Sequence, residues 1–276
     1  MHKPMSLLRM FAPAQPPPAR FPEGRVGYAV GDIHGRADLL ALLLDRLEAA
    51  ADADRGAGGE PIVVFLGDYV DRGPQSAQVI DLLLSGRPRG FVRRFLRGNH
   101  EQAMLAFMAD PLPHRAWLMQ GGSETLLSYG VTPPAPVYAL EADWLEVAAQ
   151  LRAAVPPVHI AFLEGLERFA EYGDYAFVHA GVDAARPLHA QAEADLYWIR
   201  ERFLNSRRRF SHLVVHGHTP AERPYADQRR IGVDTGAYAS GVLTAVRLEG
   251  EGHAFLAVSE KERSAASPPA DQPVQF

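Results

Sequence analysis

One stretch of the sequence decides the fold: Ile62-Val63-Val64-Phe65-Leu66-Gly67-Asp68-Tyr69-Val70-Asp71-Arg72-Gly73. Its first part, a β-branched and apolar run that ends at a glycine, predicts a buried strand. The polar part then lies on the loop at the carboxyl end of that strand, where ligands bind in open α/β sheets. Two aspartates and an arginine between glycines are costly to place together unless cations and anions gather there. We therefore interpret Asp68 as a carboxylate shared between two metal ions.

The composition of the chain excludes several classes of protein. Its 276 residues, 47% of them hydrophobic, are enough for one large core. The net charge of −5 argues against a surface built for nucleic acid or anionic lipid, so we expect neither nucleic acid nor membrane as a partner. Because the chain has no cysteine, any metal must be held by oxygen and nitrogen atoms. The absence of disulfides, of a signal-peptide core and of a bilayer-spanning apolar run predicts a cytoplasmic protein.

The two ends of the chain differ from its middle. A proline cluster at residues 13–18 predicts a flexible arm over residues 1–24, and the polar, proline-rich end predicts a disordered tail over residues 263–276. Between them we expect a single domain over residues 25–262. Residues 102–165 of this domain are predicted to be a helical insertion near the site, whose apolar residues mostly cover the core while a minority line the substrate entrance.

Strand-loop-helix units follow one another in the first part of the domain. Strands are predicted over residues 26–30, 62–66 and 91–96, helices over residues 38–47 and 75–84, and a Gly- and Asp-rich loop over residues 52–59. Later strands end at residues 178, 215 and 233, after a hairpin turn at Gly173-Asp174, and residues 243–258 are predicted to close the domain as an antiparallel hairpin. The polar residues that follow the strands should therefore meet at one edge of a mostly parallel sheet.

Six residues of metal-binding type directly follow predicted strands. They are Asp32, His34, Asp68, Asn99, His179 and His218. We expect the first three to hold one ion, and Asp68 to hold the second ion together with the last three. Mixed carboxylate, amide and imidazole ligands suit manganese, iron or zinc better than calcium. Two such ions, about 3.5–4 Å apart, lower the pKa of a bridging water and clamp phosphoryl oxygens during in-line attack on phosphorus.

Three further polar residues in these loops have matching tasks. His100 is adjacent to the ligand Asn99 and is available to protonate a leaving oxygen. Asp71 is placed to orient and charge His100 by accepting its other ring proton. Arg72 can hold a phosphate with its planar guanidinium. Two ions, a general acid and an arginine indicate a hydrolase of phosphate esters.

Five motifs carry a resemblance to a known family. Gly31-Asp32-Ile33-His34-Gly35, the stretch from Gly67 to Gly73, and Leu96-Arg97-Gly98-Asn99-His100-Glu101 resemble the signature motifs of the phosphoprotein phosphatases, the bacterial and phage branch of serine/threonine phosphatases within the calcineurin-like metallophosphoesterases. His179-Ala180-Gly181 and Gly217-His218 complete the pattern, and the resemblance covers about residues 26–258. It implies a four-layer α/β/β/α sandwich, agrees with the six metal ligands, and implies Mn²⁺, with iron and zinc as alternatives.

The same resemblance implies a second phosphate-binding arginine and distinguishes branches of the family. Our candidate for that arginine is Arg200 in Tyr197-Trp198-Ile199-Arg200, whereas Arg202 and residues 207–209 are interpreted as a solvated basic face. The wider class often ends its last motif with Gly-His-x-His, but here Pro220 occupies the final position, which favours the phosphoprotein phosphatases. The resemblance also implies that symmetrical dinucleoside tetraphosphatases lack an acid at the position of Asp71 and have an aspartate at the position of Glu101. This chain has both residues of the protein phosphatase pattern.

Three hypotheses about function follow. The first is a metal-dependent phosphomonoesterase that acts on phosphoserine or phosphothreonine, with a phosphorylated protein or peptide as its partner. The second is the same chemistry on a dinucleoside polyphosphate or another small phosphoester, although the intact Asp71 and Glu101 count against it. The third is a non-catalytic phosphopeptide-binding module, although such a module would tolerate loss of a ligand, of His100 or of Arg72, and none is lost.

Two residues near the motifs keep two interpretations each. Strand alternation would send the side chain of His216 to the same face as that of His218, but the family has an apolar or aromatic residue there. Asp234 either orients a metal ligand or caps the turn at Thr235-Gly236. In the insertion, Gly121-Gly122 either shapes the site entrance or permits a turn.

Overall fold

A computed structural model describes residues 18–56, 60–135 and 138–262. Within these ranges the strands are β1 Arg25–Val30, β2 Glu60–Phe65, β3 Val92–Phe95, β4 Ala170–Tyr172, β5 Tyr175–Phe177, β6 Leu213–His216, β7 Tyr225–Ala226, β8 Arg230–Gly232, β9 Val242–Glu249 and β10 Gly252–Ser259. The helices are α1 Ala37–Gly56, α2 Ser76–Leu84, α3 Asn99–Ala109, α4 Pro111–His114, α5 Gly122–Ser128, α6 Glu141–Ala154, α7 Pro157–Glu164, α8 Glu193–Trp198, α9 Glu201–Leu204 and α10 Ala237–Ser240, with 3-10 turns at Arg115–Gln120 and Leu188–Ala190.

The first sheet has the strand order β10-β9-β1-β2-β3. Strands β1, β2 and β3 are parallel neighbours, as the three successive strand-loop-helix units predict. Strand β9 runs antiparallel to β1 and forms the predicted closing hairpin with β10. The carboxyl ends of the three parallel strands therefore lie side by side.

The second sheet has the order β4-β5-β6-β8-β7. Its central strands β5, β6 and β8 are parallel, and β4 joins β5 through the predicted hairpin turn, where Gly173 adopts a φ of 57°. Such a left-handed conformation is readily available only to glycine. The carboxyl ends of β5 and β6 lead into the loops that carry His179 and His218.

Alternating side chains of β2 hold the layers together. Val63 and Phe65 pack into the core that is shared with the first helices, whereas Ile62 and Val64 pack against Phe177 of the second sheet. Burial of each of these side chains stabilises the fold by about 1.5–3 kcal/mol. The outer face of the second sheet is covered by side chains from α8 and α9 in a third core. The result is the predicted four-layer α/β/β/α sandwich.

Helix α1 is longer than the sequence predicts. It continues to Gly56 and so replaces most of the loop expected over residues 52–59, of which residues 57–59 lie outside the described residues. The physical reason is tertiary: the Asp54 carboxylate accepts hydrogen bonds from Tyr28 on β1 and Arg247 on β9. These bonds tie the last turns of the helix to the sheet.

The segment between the two sheets is helical. Among its described residues, 102–135 and 138–165, there is no strand, and Trp117 and Trp144 are buried in the first core. Residues 1–17 and 263–276 of the expected arm and tail lie outside the described residues. The described end of the arm packs on the domain, because the buried ring of Phe21 lies 5.9 Å from that of Tyr172. No described helix combines the length and apolar character that a membrane span requires.

Candidate metal centre

The six predicted metal ligands meet at one place, between the carboxyl ends of the two sheets. Asp32 and His34 follow β1, Asp68 follows β2, Asn99 opens α3 after β3, His179 follows β5 and His218 follows β6. All six side chains are buried. Side-chain ligand atoms of Asp68 lie within 4.8 Å of those of His34 and His100 on one side, and of His179 and His218 on the other.

Strained backbone marks the loops of this centre. Within the described residues, five residues other than glycine have a positive φ: His34 (46°), Asp68 (52°), Asp71 (74°), Arg72 (68°) and His218 (63°). Every one of them is a predicted site residue. Each such conformation costs on the order of 1–3 kcal/mol and persists only where the surrounding structure enforces it. The strain is thus concentrated where the side chains must point inward.

The carboxylate of Glu101 enforces much of this geometry. It accepts hydrogen bonds from the backbone N–H groups of Gly98 and Asp68, both at 2.9 Å, and of Tyr69 at 2.7 Å. These bonds join the loop after β2 to the start of α3. Burial and the nearby charge of Asp68 raise the pKa of Glu101 to about 7, although the backbone N–H groups act in the opposite direction. The motif alone assigned Glu101 no structural role, because nothing local to it shows which amides it binds.

Two glycines leave room for the carboxylates. A Cβ atom at Gly98 would lie 2.1 Å from Oδ1 of Asp68, and one at Gly217 would lie 2.1 Å from Oδ1 of Asp32. Both distances are far inside van der Waals contact, so any larger residue would displace a predicted ligand. The motif glycines therefore shape the centre as well as permitting its turns.

The second half of the centre brings lone pairs together. His179 Nδ1 lies 2.9 Å from the carbonyl oxygen of Leu66 and must donate to it, which leaves Nε2 without a proton. That Nε2 lies 2.9 Å from Asn99 Oδ1, 3.2 Å from His218 Nδ1 and 3.4 Å from Asp68 Oδ1. Acceptor atoms this close, with no proton to share between Nε2 and the two oxygens, repel one another unless a cation lies among them. The donor set therefore fits a divalent metal ion.

The first half of the centre follows the same logic. His34 Nδ1 lies 2.9 Å from the carbonyl oxygen of Val70, so its unprotonated Nε2 faces Asp68 Oδ2 at 3.4 Å. Asp68 thus presents one carboxylate oxygen to each half, as a shared ligand requires. Asp32 accepts the backbone N–H of His218 at 3.0 Å, which links the two sheets across the centre.

Burial dominates the electrostatics of these residues. It lowers the pKa of His34 to about 3 and, together with His179, that of His218 to about 2, so both imidazoles are neutral and available as ligands at neutral pH. Burial by itself would raise the pKa of Asp68, but the surrounding histidines reverse the effect and lower it. Burial, Asp234 and Asp68 raise the pKa of Asp32, so ionising both aspartates together is costly without added positive charge.

His100 and Asp71 form a hydrogen-bonded pair beside the ligands. His100 Nδ1 lies 2.7 Å from Asp71 Oδ2. The Asp71 carboxylate also accepts hydrogen bonds from Trp117 Nε1 at 2.7 Å and from the Thr125 hydroxyl at 2.6 Å. Burial opposes protonation of His100, but Asp68 and Asp71 outweigh it and raise the His100 pKa. The geometry holds the Nε2 atom of His100 toward the cleft.

Two of these partners come from the segment predicted to be an insertion. Trp117 lies in a 3-10 turn and Thr125 in α5, and the sequence singled out neither of them as a site residue. Between them, the carbonyl oxygen of Gly121 accepts the backbone N–H of Arg72 at 3.0 Å. A Cβ at Gly121 would lie 2.6 Å from Arg72 Cγ, so this glycine both turns the chain and lets the Arg72 loop approach. A tryptophan or threonine distant in sequence gives no local signal of such a contact.

The two candidate phosphate-binding arginines occupy different sides of the centre. Arg72 Nη2 lies 3.1 Å from His100 Nε2, and its guanidinium lies 4.8 Å from the ring centre of Tyr238. Tyr238 is the second residue of α10 and is partly exposed. The sequence alone did not single it out. Arg200 is exposed, and its charge adds to burial in lowering the pKa values of His179 and His218. Arg202 pairs with Asp195 and is not among these groups.

The structure gives definite positions to His216 and Asp234, each of which had two interpretations. His216 points away from the ligands: its Nε2 lies 3.0 Å from the Tyr225 hydroxyl and its ring lies 5.1 Å from that of Phe203. The positive φ of His218 breaks the strand alternation that would place both histidines on one face. Asp234 caps the turn, because its Oδ1 accepts the N–H of Gly236 at 2.8 Å, and its charge also raises the pKa of the buried Asp32.

Comparisons with known proteins find similar sequences and a similar fold. The sequence profile of the calcineurin-like phosphoesterases matches residues 28–242. The chain is 30% identical over 228 residues to serine/threonine-protein phosphatase 1 of Salmonella typhimurium, which covers 80% of this chain and 91% of that protein. It is 28% identical over 247 residues to the asymmetrical bis(5'-nucleosyl)-tetraphosphatase PrpE of Halalkalibacterium halodurans, which covers 79% of this chain and 88% of that protein. The crystal structure of a candidate diadenosine tetraphosphatase shares the fold, with a TM-score of 0.58 at 19% identity over 88% of this chain and 99% of that one.

Proposed function

The chain belongs to the calcineurin-like phosphoesterase family, and on that premise we propose that it is a metal-dependent phosphomonoesterase whose substrates are phosphoserine and phosphothreonine in proteins. The observation that carries this proposal is the buried Asp71–His100 pair with Arg72 at its open end. Hydrolysis of a serine or threonine phosphate monoester needs a proton donor, because the alkoxide is a poor leaving group. It also needs a cation that binds the phosphoryl oxygens. These three residues supply both beside the six candidate ligands.

We propose that the candidate ligands form two groups, one for each of two metal ions. Asp32, His34 and Asp68 would hold one divalent ion, and Asp68, Asn99, His179 and His218 would hold the other. Ions bound there would supply Lewis acidity toward the phosphoryl oxygens and would lower the pKa of a water molecule. We propose manganese, although the oxygen and nitrogen donors suit iron and zinc as well.

His100 is the proposed general acid. Its Nδ1–H donates to Asp71, so Nε2 is the atom that would carry the proton to the leaving oxygen. Trp117 and Thr125 donate hydrogen bonds to the two oxygens of Asp71 and so hold its carboxylate against His100. The negative charge of Asp71 then stabilises the imidazolium before transfer.

Arg72 and Arg200 are the proposed phosphate-binding residues. In the described arrangement Arg72 donates to His100 Nε2, the position from which the proton would leave. A phosphate in the cleft would compete with His100 for the Arg72 guanidinium, because that planar group can donate to two phosphate oxygens at once. The Nε2 atom of His100 would then be free. Arg200 would approach from the side of His179 and His218, the two histidines on which its charge acts.

A dinucleoside polyphosphate is the second candidate substrate. It is favoured by the similarity to PrpE, an asymmetrical tetraphosphatase by name, over most of both chains. The contrast drawn from the sequence concerned symmetrical tetraphosphatases, so Asp71 and Glu101 do not argue against an asymmetrical one. A non-catalytic binding module is less well supported, because the ligands, His100 and Arg72 are all present in one cluster.

The experiment that tests the proposal compares two substrates on one preparation. Metal-stripped protein with manganese added back is incubated with a phosphothreonine peptide or with diadenosine tetraphosphate. We expect manganese-dependent phosphate release mainly from the peptide. Faster cleavage of the dinucleotide into products with unequal numbers of phosphates would replace the proposal with the second candidate. Asp68→Asn protein, purified in parallel, measures any contaminating phosphatase.

A further inference from the structure

A second cavity lies at the end of the second sheet opposite to the metal centre. It has a volume of about 610 Å³ and is lined at the start of two strands by Tyr175 and Leu213. From Leu213 to His218 the chain advances five residues, and at about 3.3 Å per residue the two sites lie roughly 15 Å apart. We call this cavity the distal groove and define it by Tyr175, Arg209, Phe210, His212, Asp227 and Arg229.

The acidic residues of the distal groove are already engaged. Asp174 Oδ2 accepts the backbone N–H of Arg20 at 2.9 Å, and Glu251 pairs with the Arg20 side chain. Asp227 Oδ1 accepts the backbone N–H groups of Arg229 at 2.7 Å and of Arg230 at 3.0 Å. Each of these acids thus already has a partner within the protein.

Two arginines of the groove are not engaged in this way. Among the described residues, no hydrogen bond or ion pair involves the guanidinium group of Arg209, which is exposed, or that of Arg229, which is partly buried. The Nε atom of Arg229 is buried and has no hydrogen-bond partner within the same part of the chain. An N–H donor that is removed from water without an acceptor is costly. A bound anion would supply that acceptor.

Aromatic side chains also line the distal groove. Phe210 packs against the core over α8 and α9, and its ring lies 5.8 Å from that of His212. Tyr175 forms a further wall of the cavity. The volume falls within the range of sites for small molecules, about 300–1,000 Å³. Aromatic side chains and two guanidinium groups that line one cavity suit a flat ring that carries a phosphate.

We propose that the distal groove binds a small phosphorylated molecule with a flat ring, of the class of the nucleoside monophosphates, with Arg209 and Arg229 on the phosphate. This site is separate from the catalytic centre and does not depend on the function proposed for it. Sequence analysis placed Arg209 within a solvated basic face because nothing in the run of three arginines distinguishes them. In the fold only Arg209 of the three lines the groove.

The test measures binding of the uncleavable phosphonate analogue of AMP by calorimetry. All proteins are full-length and manganese-loaded and carry Arg72→Ala, which weakens phosphate binding at the metal centre. Adding Arg209→Ala and Arg229→Ala should weaken binding about tenfold or more, the size expected for loss of charge-assisted hydrogen bonds. The matched control adds Arg207→Ala and Arg208→Ala, which removes the same amount of charge from the loop that carries Arg209. It should change binding less than about twofold, because charges outside the contact act only through screened fields.

Each alternative outcome overturns a stated part of the proposal. Equal weakening by the control pair would make the groove a diffuse basic surface, and no binding to the Arg72→Ala parent would remove the site. Adenosine that binds as tightly as the phosphonate would exclude the assigned role of the arginines. Inorganic phosphate that binds as tightly as the phosphonate would exclude a ligand with a ring.

Discussion

The metal ligands and the His100–Asp71 pair share one cleft but are held in different ways. The ligand histidines are fixed by backbone groups, such as the Leu66 and Val70 carbonyls of the loop after β2, which lie behind His179 and His34. Asp71 is fixed by side chains of the helical segment, from Trp117 and Thr125. The difference teaches that metal binding and proton transfer can be disturbed separately. Changes in the helical segment should affect turnover and leave the metal content intact.

The largest effect is expected at the residue common to both halves. Asp68→Asn replaces the shared carboxylate by a neutral amide and leaves two dications poorly compensated in a buried site. Metal content, measured by mass spectrometry after gel filtration, should fall well below two ions per chain, and turnover should be lost. Asp52→Asn, an exposed carboxylate on α1, is the matched control and should keep both. Full metal content in Asp68→Asn would contradict the shared-ligand assignment.

The next effect concerns the charge that supports His100. Asp71 is among the groups that raise the His100 pKa, so Asp71→Asn should lower it. The acid form of His100 exists below its pKa, and turnover that needs this form is lost as pH rises through that value. The alkaline limb of the kcat–pH profile should therefore move to lower pH by about 1 unit or more, the usual effect of an opposite charge. If the alkaline limb did not move while the metal content stayed unchanged, Asp71 would not be the residue that raises the His100 pKa.

A smaller effect is expected from the tryptophan that holds Asp71. Trp117→Phe removes the indole N–H but retains an aromatic ring against Phe107. Loss of a hydrogen bond to a charged group, about 1.5–3 kcal/mol, should reduce kcat at least about tenfold with two metals still bound. Trp144→Phe, in the same helical segment and buried, is the control and should retain turnover. Equal losses in both variants would show that general packing matters rather than the bond to Asp71.

The smallest effect is expected at the ring beside Arg72. Tyr238→Ala removes the aromatic face 4.8 Å from the guanidinium, an interaction of about 0.5–1 kcal/mol at exposed sites. The KM for the peptide should rise about two- to fivefold while kcat changes little, because the ring acts on the phosphate-binding arginine rather than on the proton donor. Tyr238→Phe retains the ring and should behave as the parent. A fall in kcat alone would place Tyr238 in the chemical step instead.

The sequence was informative where function depends on residues at strand ends. Glycine-bounded polar loops after apolar runs place Asp68 and Asn99 at one sheet edge, because parallel strands end together. Trp117 and Thr125 could not be found in this way, since their contacts with Asp71 depend on how helices distant in sequence pack. The prediction from strand alternation was wrong at His216 for a related reason. The assembled centre imposes the strained conformation of His218, and the alternation of side chains along a strand does not predict such a conformation.

The measurement that tests the account most directly compares leaving groups in His100→Asn protein. A phosphothreonine peptide leaves as a poor alkoxide that needs a proton, whereas p-nitrophenyl phosphate leaves as a stable phenolate that does not. The account predicts a loss of about 10²–10⁴-fold on the peptide, the usual contribution of general acid catalysis, a much smaller loss on the aryl ester, and two metals per chain throughout. Equal losses on both substrates, or loss of the metals, would contradict the assignment of His100 as the proton donor beside a separately held metal centre.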